Sequence, residues 1–72
     1  MPLKTLLQTL AADIAAAERR TEEYGQAVHA SLVAGQTNPT AEQALYLELD
    51  RLALLRDRQY ALMEMGCLPV AA

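Results

Sequence analysis

The chain is expected to fold as an all-α, antiparallel two-helix hairpin. Three observations predict this. An unbroken apolar seam steps by threes and fours from Leu3 to Gly35, one cluster of helix breakers follows at residues 36–39, and a second leucine-rich periodic stretch ends at Gly66. The 72 residues suffice for one small domain, 1–72, with helix 1 at about 3–34, a turn at 35–40, helix 2 at about 41–65 and a tail at 66–72.

The seam of helix 1 is Leu3, Leu7, Leu10, Ile14, Ala17, Thr21, Tyr24, Val28, Ser31 and Gly35. Alternating steps of four and three place these side chains along one helix face. The residues between them are mostly Ala, Gln, Glu, Arg and Leu, which favour helix, and no proline interrupts them. Pro2 belongs at or just before the first turn, where its missing N–H is harmless. Gly25 is the weak point, as a bend, a close helix contact or a tolerated surface glycine. Gly35 can adopt the left-handed conformation that stops a helix.

Gln36 to Pro39 form the break. Thr40 with Gln43 three residues on reads as a capping box, which starts helix 2 at Ala41. The competing cap is Asn38 with Pro39 at the first helical position, two residues earlier. Proline inside Asn38-Pro39-Thr40 also spoils the only glycosylation-like tripeptide. Helix 2 carries Leu45, Leu49, Leu52, Leu55, Leu62 and Met63 on its main face. So short a connection makes the helices antiparallel neighbours. The expected register sets Leu32 near Ala44 and Leu45, Val28 on Leu49, Tyr24 on Leu52 and Thr21 on Leu55. It continues with Ala17 on Gln59, Ile14 on Leu62 and Leu10 on Met65. Leu68, Pro69 and Val70 then fold beside Leu7 and Leu3.

Helix 2 has more apolar residues than one seam uses. Leu47, Leu54 and Ala61 recur every seven, with Met65 four further on, away from the main face. Leu6 and Leu32 are likewise spare on helix 1. An alanine-rich seam buries little apolar area per residue, so a lone hairpin is expected to be marginal. Assembly of two hairpins into a homodimeric four-helix bundle is the simplest remedy. Docking of a different protein on Leu47, Leu54, Ala61 and Met65 is a compatible one.

Composition excludes several function classes. The net charge is −3 and the pI about 4.9, the reverse of what a phosphate backbone attracts, so no direct nucleic-acid binding is expected. No apolar run approaches the length of a membrane span, and Gln8, Thr9 and Asp13 interrupt any signal-peptide core. The single cysteine, Cys67, cannot form an internal disulfide, and a reducing, cytoplasmic location follows as the default. A Gly-rich phosphate loop, HExxH, CxxC and a nucleophile elbow are all missing, and His29 has no carboxylate within a helical turn. An alanine-rich hairpin should also lack a cavity of substrate size. No enzyme, no cofactor and no metal is therefore expected. Met63, Met65 and Cys67 with His29 supply soft and imidazole donors for an ion such as copper(I), but methionines filling the bundle end account for them more simply.

Two charged groups remain. Glu18, Arg19, Arg20, Glu22 and Glu23 read as a solvated surface in which Arg19 pairs with Glu22 or Glu23. Glu42, Tyr46, Asp50, Asp57, Tyr60 and Glu64 line the polar side of helix 2, where exposed tyrosines beside carboxylates suit a basic partner. The functional expectation is a small acidic, non-catalytic protein–protein interaction module, an adaptor, chaperone or inhibitor of the compact kind that phages and plasmids carry. Its partner-binding residues are Leu47, Leu54, Ala61, Met65, Tyr46, Asp50, Asp57, Tyr60 and Glu64. The alternatives are a structural subunit of a larger assembly and, more remotely, a soft-metal site at the Met-Cys end.

Overall fold

Pro2 sits just outside the first helix, with φ −67° and ψ 145°, and its carbonyl accepts the amides of Thr5 (3.1 Å) and Leu6 (3.2 Å). A proline here loses nothing, because the first amides of a helix have no intrahelical acceptor. These contacts come from a computed structural model that describes residues 2–67, the side chain of Cys67 excepted. Helix α1 spans Leu3–Val33 and helix α2 spans Pro39–Cys67; they pack against each other as an antiparallel hairpin in a rod of 63 × 16 × 15 Å.

The seam of α1 is the expected one. Leu10, Ile14 and Ala17 are buried, while Leu3, Leu7, Thr21, Tyr24, Val28 and Ser31 are half-buried. Thr21 tolerates its place there because its hydroxyl donates to the Ala17 carbonyl at 2.8 Å. Gly25 is helical, half-buried and has open space where a Cβ would stand, so it marks no close contact. Gly25→Ala is therefore expected to stabilise the hairpin by about 1 kcal/mol, the helix-propensity difference, as read from urea unfolding at fixed protein concentration.

At the end of α1, Gly35 has φ +73°, and the amides of Gly35 and Gln36 return to the carbonyls of Leu32 (3.0 Å) and Ser31 (2.8 Å). This pair of bonds is the Schellman closure, which needs a residue free of the left-handed penalty. The next helix opens earlier than the capping-box reading expects. Asn38 Oδ1 accepts the Ala41 amide at 3.1 Å and Pro39 takes the first helical position, so the Asn-Pro cap prevails over Thr40. That extra half-turn buries Ala41.

The register also differs from expectation, by more than the earlier start alone would shift it. Leu62 shares a groove with Leu10, and Leu55 shares one with Ala16 and Arg20; both also pack on the buried cluster of Leu10, Ile14, Ala17 and Leu52. Gln59 lies with Leu7 and Ala11 where Ala17 was expected. Relative to expectation, α2 is slid by at least one turn toward the start of α1, which brings Gly66 against Leu3: a Cβ on Gly66 would stand 2.9 Å from Leu3 Cδ2. The expected placement of Leu68, Pro69 and Val70 falls outside the described residues.

The seam of α2 also differs. Leu52 is buried and Leu45, Leu55 and Leu62 are half-buried as expected, but Leu49 is 43% exposed and Met63 52%. Steps of three and four from Ala41 run instead through Leu45, Glu48, Leu52, Leu55, Gln59 and Leu62. The seam accordingly crosses a buried glutamate, Glu48, at 9% exposure. Its Oε1 accepts Arg20 Nε at 2.9 Å, with Arg51 Nη1 at 3.9 Å, while Oε2 is buried without a hydrogen-bond partner. The hydrophobic core is consequently short: Leu10, Ile14, Ala17 and Leu52, flanked by Leu55 and Leu62.

The charge cluster of α1 does not pair within itself as expected. Arg20 reaches across to Glu48, and Glu18 Oε1 lies 3.5 Å from Arg56 Nη2, both on α2. Helix-to-helix pairs are possible because both residues sit at the edges of the seam, within reach of the facing helix.

Candidate protein-interaction interface

An α-helix drifts only about 20° per seven residues, so side chains seven apart form nearly straight lines along it. Three such lines cover the side of α2 that faces away from α1. Asp50, Asp57 and Glu64 make an acidic ridge. Leu47, Leu54 and Ala61 run beside it on one flank, extended by Met65, and Tyr46, Ala53 and Tyr60 run on the other. The fold holds them outward because Glu48, Leu52, Leu55 and Leu62 occupy the opposite side.

All nine residues expected to bind a partner lie on this one outward side, and all are exposed. Leu47 and Leu54 show 63% and 66% of their surface, and Met65, Tyr46 and Tyr60 are similarly open. Among the described residues no arginine, lysine or histidine stands within 4.0 Å of the Asp50, Asp57 or Glu64 carboxylates. The ridge thus presents uncompensated negative charge between two apolar margins, an arrangement that attracts a cationic surface and offers it area to bury. Leu32 and Val33, at the turn end, add exposed apolar surface to α1.

The grooves between the helices depart from the expectation of no cavity. One of about 560 Å³, almost wholly apolar, is lined by Leu3, Leu7, Ala11, Gln59 and Met63 among others. Two more, of about 230 and 240 Å³, lie on the other side of the rod. They arise because two cylinders touch along a single line and the flanks of that line stay open. Met63 sits at the first groove, whereas Met65, two residues on, points to the other side of α2, so the two thioethers do not converge. Among the described residues no group of three or more His, Cys, Asp and Glu stands close enough to hold a metal ion, and no helix is long and apolar enough to cross a membrane.

The reading of the sequence missed Glu48, Arg20 and the pairing of their charges. The signal was present in the steps from Leu45 to Leu52, which pass through 48 as readily as through 49. Hydrophobicity favoured Leu49, and packing against α1, where Arg20 meets Glu48, decided otherwise. Compared with known proteins, the chain matches no family model, no curated protein and no solved structure.

Proposed function

We propose that the chain is a non-catalytic protein–protein interaction module of the cytoplasm, in the class of adaptors, chaperones and inhibitors. Its hairpins associate as a homodimeric four-helix bundle, and the acidic, tyrosine-bearing ridge of α2 receives another protein with a basic surface. One observation carries this reading. Large apolar side chains at 47, 54 and 65 remain exposed in a line on a helix whose other side is already packed. An ordered line of that kind, beside unpaired carboxylates, is what a docking surface requires and what an isolated solvated helix does not.

Light scattering across a range of concentrations tests it. The wild-type chain is expected to give a closed dimer, and Leu47→Glu with Leu54→Glu is expected to weaken dimerisation about tenfold or more, because each buried leucine is worth about 1.5–3 kcal/mol. Particles that keep growing with concentration would replace this reading by a structural subunit that packs with itself. A chain that stays monomeric, and a basic helical peptide that binds wild type and double variant alike, would remove the interaction role of this line.

A further inference from the structure

The two sides of the rod carry different charges. On the side of the two smaller grooves, Leu6, Leu10 and Leu62 are bordered by Asp13 and Arg58, and the next groove along is bordered by the same Asp13 with Arg20 and Arg51. Asp13 therefore stands level with Arg58 across the hairpin, while Arg51, about 10 Å nearer the turn, stands level with Arg20. Neither Asp13 nor Arg58 has an ion-pair partner within 4.0 Å among the described residues. Leu54, three residues after Arg51 and four before Arg58, borders this side on α2. Its counterpart on α1 is small: Thr9 and Ala16 flank Asp13 along this side.

We propose that this side is the contact with a second copy of the chain, with the two-fold axis parallel to the helices so that α1 of each copy lies over α2 of the other. The proposal rests on the homodimer reading above and gives its topology. An axis along the rod leaves every height unchanged, so groups that are level within one hairpin are level across the contact. Asp13 then meets Arg58 of the second copy, Arg58 meets Asp13 of the second copy, and Leu54 descends beside the small Ala16. Neighbouring helices are antiparallel throughout, as bundles favour. The other face-to-face arrangement, with the axis across the rod, lays α2 on α2. It sets Arg51 and Arg58 among the same arginines of the second copy, and like charges brought together disfavour association. The parallel axis sets Arg51 only against Arg20, whose charge Glu48 already offsets at 2.9 Å. The parallel axis also leaves Asp50, Asp57, Glu64, Tyr46 and Tyr60 facing outward, so dimerisation and capture of a basic partner do not compete.

Charge exchange in trans tests the topology. Asp13 and Arg58 are exposed, so Asp13→Arg and Arg58→Asp leave the core intact, and circular dichroism checks that helicity is kept. Each variant alone places like charges at both symmetric contacts and is expected to weaken dimerisation about tenfold. An equimolar mixture places opposite charges at both contacts, and native mass spectrometry is expected to show mixed dimers at wild-type affinity. Variants that dimerise like wild type, a mixture that fails to recover, or Arg58→Asp that tightens its own dimer would each overturn the topology while the homodimer stands. A wild-type chain that remains monomeric at millimolar concentration would overturn the homodimer itself.

Discussion

Arg20→Ala is expected to destabilise the hairpin by about 2–4 kcal/mol, more than removal of any other surface charge. The reason lies in what it leaves behind. Glu48 is a seam residue whose carboxylate has one buried oxygen without a partner already, and Arg20 Nε supplies the close bond to the other, at 2.9 Å. Without Arg20, only Arg51 remains nearby, at 3.9 Å. A carboxylate left there without a close partner must draw water into the seam, which disfavours the packed hairpin. Arg20 is itself 37% exposed on its side chain, which lets water soften the loss and keeps the figure below that of a fully enclosed pair. Removal of both members by Arg20→Leu with Glu48→Leu is expected to recover most or all of the stability, since an apolar pair of similar volume commonly does as well as a buried ion pair. Thermal unfolding of the single and double variants, at one protein concentration, measures both effects. A single variant within about 0.5 kcal/mol of wild type would show that the pair contributes no more than an ordinary surface bridge.

Leu52→Ala is expected to cost about 2–3 kcal/mol, the lower part of the range for a buried leucine. Leu52 is 6% exposed and is the one α2 residue in the buried cluster with Leu10, Ile14 and Ala17. The cavity would lie in a rod only 15–16 Å across, where solvent and the flanking Leu55 can partly fill it. The comparison variant is Leu54→Ala, two residues along and 66% exposed. In the isolated hairpin it should change stability by less than about 0.5 kcal/mol, as exposed sites generally do. The contrast is read by urea unfolding at concentrations below and above dimerisation. If Leu54→Ala becomes costly only at the higher concentration, its side chain is covered by association and not by its own hairpin.

Much of the hairpin was legible because its determinants are local. The seam of α1 follows from one periodicity without interruption, and the stop at Gly35 follows from the one residue that takes φ +73° at no steric cost. The exposure of Leu47, Leu54 and Met65 was legible too, because seven-residue recurrence away from the seam leaves a side chain nowhere to pack. The register was not legible. Two caps two residues apart compete at the start of α2, and each is locally sound. Their two-residue difference, about 3 Å along the rod, supplies only part of the slide; the rest comes from how the two helices pack, which sets Gly66 against Leu3.

By itself, then, the sequence determined the two rods, the turn between them and the apolar and acidic lines that α2 turns outward. All three depend on interactions within a few residues along the chain. Tertiary structure alone decided which residues of the two rods meet, and through that the burial of Glu48, its bond to Arg20 and the shared height of Asp13 and Arg58. A helix carries its phase over many turns, whereas the contacts that choose between phases come from the facing helix, out of reach of any local pattern.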